Sequence, residues 1–294
     1  MRILVLGGTR YFGIHMVQSF IEQGHEVTIA TRGKTPDSFG SKVSRIILER
    51  TSAESIYSSL HSQTYDVICD NLAYCSNDVK VLLDQVHCEK YIMTSSASVY
   101  QNQHINTAEH EFDPLSHSLI WCNRTDYPYD EIKRQAECAL FQSYGKVPAT
   151  AVRLPYVIGE DDYTKRLYFY IDHMMKEKPM MIDNYTEQIG FICSTEAGKF
   201  IAWLGENNII GPINGANNGT ISLQQIMDYV ELKTGRKAIL TQEGEPGPYN
   251  GQQSFSLDNS KVTRNGYCFP HIEEWIYQLL DNFIQLSLSS DEAL

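Results

Sequence analysis

A short apolar run that leads directly into a glycine-rich turn is the feature that most restricts how this chain can fold. Residues 3–6 are Ile-Leu-Val-Leu, and the segment Gly7 to Gly13 (GGTRYFG) follows at once. Apolar residues then recur at helical spacing from Ile14 to Ile21, and Gly24 supplies a stop. A tight turn between a buried strand and a helix directs backbone N–H groups and the helix dipole at one spot, which suits a pyrophosphate. The segment therefore predicts a nucleotide-binding strand–turn–helix unit.

Strand and helix signals alternate after this unit. Short apolar runs at residues 26–30, 44–48, 66–70 and 91–94 are separated by segments with helical spacing, such as 79–86. Alternation of this kind requires a parallel sheet with helices on both faces, and ligands bind at the carboxyl ends of its strands. We therefore predict an α/β fold with a Rossmann-type, doubly wound parallel sheet.

Composition narrows the class of protein. The 294 residues carry a net charge of −12, which repels phosphate backbones, so we expect no nucleic-acid partner. No apolar run approaches the ~20 residues of a membrane span, so we expect no membrane association. Seven scattered cysteines without a CxxC pair predict reduced thiols in a cytoplasmic protein. The histidines are dispersed as well, and we expect no metal site.

A second chemical signature lies at Tyr129-Asp130-Glu131-Ile132-Lys133. Residues four apart on a helix share a face, so the Tyr129 hydroxyl and the Lys133 ammonium can serve one site. A YxxxK spacing alone is equally typical of an amphipathic helix with a solvated lysine. Here it follows a glycine turn and a strand that ends in serines, which favours the catalytic interpretation.

Together these segments resemble the extended short-chain dehydrogenase/reductase family, the NAD-dependent epimerase/dehydratase group. The resemblance covers nearly the whole chain. It includes the glycine turn, the serine cluster 95–100 (SSASVY), Tyr129-xxx-Lys133, residues 153–159 (RLPYVIG) and residues 213–215 (ING). The glycine turn is most similar to an atypical branch that includes chloroplast stem-loop-binding proteins and bacterial members.

The resemblance implies a role for three catalytic residues. Tyr129 would transfer the proton, Lys133 would bind the nicotinamide ribose, and Ser96 would hydrogen-bond the reacting oxygen. Tyrosine normally titrates near pH ~10, and a neighbouring ammonium would lower its pKa towards neutrality. The resemblance also implies an NAD(P)-binding domain at residues 1–160. Residues 161–294 would form mainly a smaller C-terminal substrate lobe, with segments that return to the first domain.

Departures from the family pattern bear on the choice of cofactor. Arg10 replaces a glycine of the usual turn, and the second strand ends in Thr31-Arg32 with no acid for a ribose 2′-hydroxyl. Arginines suit a 2′-phosphate, so we prefer NADP over NAD as the cofactor, although Arg32 in a solvated turn is the alternative. Glu49 is either an adenine ligand or a surface carboxylate. The residues expected to bind the cofactor are Gly7, Thr9, Arg10, Tyr11, Phe12, Gly13, Arg32, Glu49, Arg50, Leu72, Ala73, Tyr129, Lys133, Pro155 and Val157.

Other departures bear on the substrate. Tyr156 and Ile189 stand where family members that act on sugar nucleotides have an asparagine and an arginine that grip the pyrophosphate. Their replacement disfavours a UDP-sugar or dTDP-sugar substrate, and we expect Lys165 and Arg166 to be solvated charges rather than substitutes. The serine cluster also lacks the Thr-Asp-Glu sequence of sugar-nucleotide 4,6-dehydratases.

The sequence thus predicts an NAD(P)-dependent oxidoreductase or epimerase that acts at an alcohol or ketone carbon of a small, sugar-like substrate, with tyrosine as acid and base. The alternative is a catalytically weak NAD(P)-binding sensor or an RNA-contacting module. A homodimer is left open. At the C-terminus we expect an amphipathic helical region over residues 259–283 and a frayed tail over residues 287–294.

Overall fold

A seven-stranded parallel sheet forms the centre of the protein, in the order β10-β6-β5-β4-β1-β2-β3. The computed structural model describes residues 1–291, with side chains up to Ser289. A three-stranded sheet, β11-β8-β12, and a pair, β7-β9, complete the strands. The strand bounds are β1 Arg2–Leu6, β2 Glu26–Thr31, β3 Val43–Ile47, β4 Thr64–Asp70, β5 His87–Ser96, β6 Ala149–Leu154, β7 Tyr156–Ile158, β8 Pro179–Met181, β9 Phe191–Cys193, β10 Gly211–Asn214, β11 Ile239–Leu240 and β12 Glu245–Pro246.

Helices cover both faces of the central sheet. Their bounds are α1 Phe12–Glu22, α2 Ala53–Leu60, α3 Ser76–Leu83, α4 Tyr129–Cys138, α5 Arg166–Met175, α6 Ser194–Glu206, α7 Leu223–Thr234, α8 Ser260–Thr263 and α9 Ile276–Asp291. In β1, Ile3 and Val5 pack into one core while Leu4 and Leu6 pack into another. Successive side chains of a strand point to opposite faces, so a continuous apolar run fits a sheet that is covered on both sides. The predicted Rossmann-type parallel sheet is confirmed.

The strand order reverses at β1, which pairs with β2 on one side and with β4 on the other. Chain connections leave this point in opposite directions, so a crevice opens there between the carboxyl ends of the strands. In open α/β sheets such a crevice is where ligands bind. The turn after β1 and the segments after β4 and β5 all lie at this edge of the sheet.

The second half of the chain contributes to two cores. Strand β10 pairs with β6 in the central sheet, and α6 packs on α1. This contact is close, since a Cβ atom on Gly198 would lie 2.6 Å from the carbonyl oxygen of Phe12. Helices α5, α7 and α9 and the three-stranded sheet build a separate core with buried residues such as Tyr170, Met180 and Leu280. We refer to these elements as the C-terminal lobe.

The C-terminal end of the chain differs from the sequence expectation. The region 259–283 is not one helix, because a 3₁₀ turn over Ile272–Glu274 separates α8 from α9. The tail expected to be frayed from residue 287 continues α9 to Asp291, and residues 292–294 lie outside the described part. Ser287 is buried and its hydroxyl donates to Asp172 of α5 at 3.2 Å. Within residues 1–291, every helix is too short or too polar to cross a lipid bilayer.

Candidate active site

The glycine turn brings the start of α1 against the end of β1. Gly7 and Gly8 have φ values of 98° and 91°, in the region that favours glycine. Gly13 allows the closest approach: a Cβ atom there would lie 3.0 Å from the Cα atom of Gly8. Tyr11, which precedes the helix, is held at φ 56° while its buried hydroxyl donates to the carbonyl oxygen of Val157. The turn is thus a cradle that an added side chain would fill.

A cleft of about 480 Å³ opens beside this turn, at the carboxyl ends of β1, β2, β3 and β4. We call it the basic cleft. Its charged lining residues are five cations and one carboxylate, namely Arg10, Arg32, Lys34, Arg50, Arg124 and Glu49. Arg50 and Arg124 pair with Asp70 and Asp78, so the local excess of positive charge comes from Arg10, Arg32 and Lys34, in a chain whose net charge is −12. This local excess favours a phosphorylated ligand.

The outer cations of the basic cleft lie at the end of β2. The Nε atom of Arg10 donates to the Thr35 hydroxyl at 3.2 Å, and Arg32 and Lys34 are exposed. Within the described part of the chain none of these three cations has a carboxylate partner. The end of β2 also offers no acidic side chain to the cleft. The charge pattern is complementary to an anion rather than to a ribose hydroxyl.

Arg50 is the buried cation of the basic cleft, with 3% of its surface exposed. It forms an ion pair with Asp70 at the end of β4, and its Nη2 atom donates to the carbonyl oxygen of Asp78 at 2.9 Å. The Nη1 atom is buried and has no hydrogen-bond partner among the described residues. A buried donor without a partner is costly. Arg50 therefore joins the end of β4 to α3 behind the cleft, and its buried Nη1 atom is not presented to the cleft.

A second cleft of about 430 Å³ adjoins the basic cleft and shares Tyr11, Phe12, Asn71 and Tyr74 with it. We call it the tyrosine cleft. It has no carboxylate among its lining residues in the described part of the chain. Its remaining lining residues are Thr94, Ser95, Ser96, Ala97, Ser98, Gln103, Tyr129, Lys133, Leu154, Pro155, Tyr156, Val157, Arg166, Gln252 and Phe255.

Tyr129 is the first residue of α4 and is half exposed in the tyrosine cleft. Burial raises the pKa of Tyr129 and outweighs a hydrogen bond with Ser96 and the charge of Arg166, which act to lower it. The lowering that the sequence led us to expect from Lys133 is therefore not found in the protein without cofactor. The Ser96 hydroxyl also accepts from the backbone N–H of Ser98 at 3.1 Å, which fixes its position. The two hydroxyls therefore converge on one point of the cleft.

Lys133 lies one helical turn beyond Tyr129 and is only 2% exposed. Its Nζ atom donates to the carbonyl oxygens of Thr94 at 2.8 Å and Ala73 at 2.9 Å, and lies 5.9 Å from the centre of the Tyr129 ring. Burial lowers the pKa of Lys133 to about 8. A buried ammonium without a carboxylate partner strongly favours nearby negative charge.

A buried ion pair holds α4 in place behind these residues. Glu137, one turn after Lys133, pairs with Arg153 of β6 at 2.6 Å, and both side chains are fully buried. Glu137 also accepts from the Ser95 hydroxyl at 2.5 Å. The Glu137 carboxylate thereby links Ser95, the residue before Ser96, to the helix that carries Tyr129.

Most residues that the sequence singled out line one of the two clefts. The exception is Ala73, which lines neither and contributes only its carbonyl oxygen to Lys133. Several other lining residues were not predicted from the sequence, although Asn71 and Tyr74 directly flank the predicted Leu72 and Ala73. Those additional residues are Lys34, Thr35, Asn71, Tyr74, Gln103, Arg124, Tyr163, Arg166, Gln252 and Phe255.

The positions expected to bear on the substrate differ in environment. The Tyr156 hydroxyl donates to the Gln252 side chain at 3.0 Å, and Ile189 is fully buried with its backbone paired to Ile221. Neither offers a charge to the cleft. Lys165 is exposed, as expected, whereas Arg166 is partly buried in the wall of the tyrosine cleft. Arg166 was expected to be solvated, and the sequence pattern alone could not indicate that it lines the tyrosine cleft.

Residues 3–211 match the NAD dependent epimerase/dehydratase family. The chain belongs to this family, and its membership supports an enzyme of the extended short-chain dehydrogenase/reductase type. The chain is also 28% identical over 204 residues to the chloroplast stem-loop binding protein of 41 kDa b from Arabidopsis thaliana. That match covers 64% of this chain and 50% of the relative, so the chain spans about half the length of the curated relative that it matches.

Solved structures share the fold at low sequence identity. The UDP-glucose 4-epimerase of Thermotoga maritima, solved with UDP-glucose, superposes with a TM-score of 0.74 at 18% identity, over 97% of this chain and 99% of that one. The UDP-glucuronic acid 4-epimerase of Bacillus cereus, solved with NAD, superposes with a TM-score of 0.71 at 19% identity, over 97% of both chains. These similarities support the same architecture along nearly the full length.

Proposed function

We propose that this protein is an NAD(P)-dependent oxidoreductase or epimerase that acts at an alcohol or ketone carbon of a small, sugar-like substrate. The observation that carries the proposal is that the two clefts adjoin and share four lining residues. A basic, glycine-lined cleft lies next to one where Ser96 and Tyr129 converge beside a buried lysine. A dinucleotide that extends from the first cleft into the second would bring its reactive ring to these side chains.

The residues present fit the dinucleotide. The cradle at Gly13 would receive the pyrophosphate at the start of α1, because a Cβ atom would close it. Arg50 lines the same cleft and would contact the adenosine half. Arg10 and Arg32 would bind a ribose 2′-phosphate, so we propose NADP as the preferred cofactor and NAD as the alternative.

In this proposal the protein's own side chains move the proton. Tyr129 would take it from the substrate hydroxyl during oxidation and return it during reduction, while Ser96 would orient the same oxygen. Lys133 would hold its ammonium close to the Tyr129 ring and so favour the tyrosinate. The bound nicotinamide supplies the hydride chemistry. Net redox and epimerisation through a transient ketone use the same proton transfer.

The alternative function is that of a binding module. The matched Arabidopsis relative is called a stem-loop binding protein, but a net charge of −12 on this chain is unfavourable for contact with RNA. A sensor would also not require Ser96, Tyr129 and Lys133 to lie together. We therefore favour the enzyme. We further propose a cytoplasmic location, supported by the seven free cysteines.

The experiment that tests the function has two stages. The nucleotide that co-purifies with the protein is first identified by mass spectrometry. Turnover is then measured with a panel of sugars, hydroxy acids and ketones, by nicotinamide absorbance for net redox and by chromatography of the products for epimerisation. We expect a bound dinucleotide and activity on at least one alcohol–ketone pair. Tight dinucleotide binding with no conversion across the panel would favour the sensor.

A further inference from the structure

Arg166 is a cation in the tyrosine cleft with unused hydrogen-bond donors. Its Nε atom donates to the Thr164 hydroxyl at 3.1 Å, and within residues 1–291 its two terminal nitrogens have neither a hydrogen-bond acceptor nor a carboxylate partner. The cleft itself contains no carboxylate in the described part. The only other cation in its lining, Lys133, is engaged by two backbone carbonyl oxygens. Arg166 is therefore the cation that is available to a molecule in this cleft.

The loop before α5 fixes the base of this side chain. Thr164 donates through its backbone N–H at 2.9 Å and through its hydroxyl at 2.6 Å to Asp162, which is itself buried. The guanidinium carbon of Arg166 lies 5.1 Å from the centre of the Tyr156 ring. A planar guanidinium over an aromatic ring loses little freedom when it binds an oxyanion. The site is thus partly organised before any ligand arrives.

Arg166 also acts on the proposed proton-transfer residue. Its charge lowers the pKa of Tyr129 against the effect of burial. Both side chains line the same cleft, together with the polar side chains of Gln103 and Gln252. A ligand that holds its reacting oxygen at Tyr129 and Ser96 would therefore have a cation nearby. One guanidinium presents donors that match one carboxylate or one phosphate group.

We propose that Arg166 binds an anionic group of the substrate, so that the substrate is a small hydroxy or keto compound with one carboxylate or one monophosphate. This inference rests on the proposed function, because it takes the tyrosine cleft as the substrate site. It names the substrate class as sugar acids, hydroxy acids or sugar phosphates. A nucleoside-diphosphate sugar would bring a second phosphate charge that no other available cation of the tyrosine cleft matches.

The test measures binding of matched probes to the NADP-loaded protein by calorimetry. The probes are glucose, glucuronate, glucose 6-phosphate and UDP-glucose. We expect glucuronate or glucose 6-phosphate to bind on the order of 10-fold or more tightly than glucose, the scale of charge-assisted hydrogen bonds. The substitution Arg166→Gln should remove that preference. Arg166→Lys should restore part of it, because a point charge lacks the planar fork.

The matched control is Lys165→Gln, which removes the adjacent exposed cation outside the cleft lining. It should leave every affinity unchanged. The proposal is overturned if no anionic probe binds more tightly than glucose, if Lys165→Gln reduces the preference as much as Arg166→Gln, or if UDP-glucose binds most tightly. Absence of an anion preference in the unsubstituted protein, with NADP still bound, contradicts the assignment of Arg166. Failure to bind either dinucleotide contradicts the proposed function and, with it, this inference.

Discussion

The basic cleft and the tyrosine cleft differ in how the chain builds them. The basic cleft is built mainly from residues 7–74, in the segments that follow the carboxyl ends of β1, β2, β3 and β4. The tyrosine cleft combines Ser96 and Tyr129 with Tyr156, Arg166 and Gln252, which lie far along the chain and include residues near the C-terminal lobe. The first is therefore a property of local βα units, and the second depends on tertiary packing.

The two clefts also differ in charge. The basic cleft carries five cations against one carboxylate, whereas the tyrosine cleft has aromatic and amide side chains around two cations. We interpret the first as a general dinucleotide site and the second as the place where the substrate is selected. The substitutions below should affect one cleft and spare the other, in descending order of the expected effect.

Tyr129→Phe should have the largest effect, and it should be confined to the tyrosine cleft. The change removes only a hydroxyl, so dinucleotide affinity and the free energy of unfolding should barely change. Turnover should fall by about 100-fold or more, the usual size of general acid–base catalysis. The test is steady-state kinetics on the first substrate found, beside a dinucleotide titration. Unchanged turnover in this variant would rule out Tyr129 as the acid and base.

Replacing Arg10 and Arg32 together with alanine should affect only the basic cleft. If both bind a 2′-phosphate, NADP binding should weaken by roughly 2–4 kcal/mol, the scale of lost charge-assisted hydrogen bonds. The affinity for NAD should hardly change, and the affinity for a substrate analogue should hardly change either. Calorimetric titration of both dinucleotides provides the measurement. Equal losses for NADP and NAD would show that the arginines do not read the 2′ position.

Gly13→Ala should weaken binding of both dinucleotides through backbone geometry. The new Cβ atom would meet the Cα atom of Gly8 at 3.0 Å, so the start of α1 must move away from the turn. Such overpacking costs about 1–3 kcal/mol, and we expect a loss of dinucleotide affinity of that size. Gly24→Ala is the control, since Gly24 has φ 79° and open space around it. It should lower stability without lowering affinity.

The last prediction concerns the pH dependence of stability at Lys133. Burial lowers the pKa of Lys133 to about 8 in the folded protein, against ~10.4 for lysine in an unfolded chain. Between these values the unfolded state binds more protons, so this residue makes stability rise with pH. The stability of the unliganded protein relative to Lys133→Met should therefore increase by up to roughly 3 kcal/mol from pH 7 to pH 10.

Urea unfolding across that pH range checks this prediction. The exposed Lys146→Met serves as the control and should show no such change relative to the original protein. A pH-independent difference between the protein and Lys133→Met would mean that the lysine does not lose its proton near pH 8 in the folded state.

Local patterns predicted the fold and the basic cleft well. The apolar run of β1, the glycine turn and the start of α1 are adjacent in sequence, so periodicity and turn chemistry suffice to predict them. Resemblance to a family supplied Ser96, Tyr129 and Lys133. By contrast, Arg166 lies near Tyr129 only because the loop before α5 brings the chain back to the tyrosine cleft. No local sequence pattern around Arg166 predicts this position.

The C-terminal tail was mispredicted for the same reason. Its serines and acidic residues are typical of a frayed end, yet α9 packs against α5 and buries Ser287 against Asp172. Tertiary contact overrides the local tendency of such a segment. At Ala73, which the sequence suggests as a cofactor contact, the carbonyl oxygen accepts a hydrogen bond from Lys133.

Titration of the purified, nucleotide-free protein with NADP and NAD tests the central claim most directly. We expect saturable binding of one dinucleotide per chain, with NADP the tighter ligand because the end of β2 presents cations and no acid. We also expect that Tyr129→Phe binds with nearly the same affinity. If neither dinucleotide binds to a folded protein, the two clefts do not form a redox active site and the account is wrong.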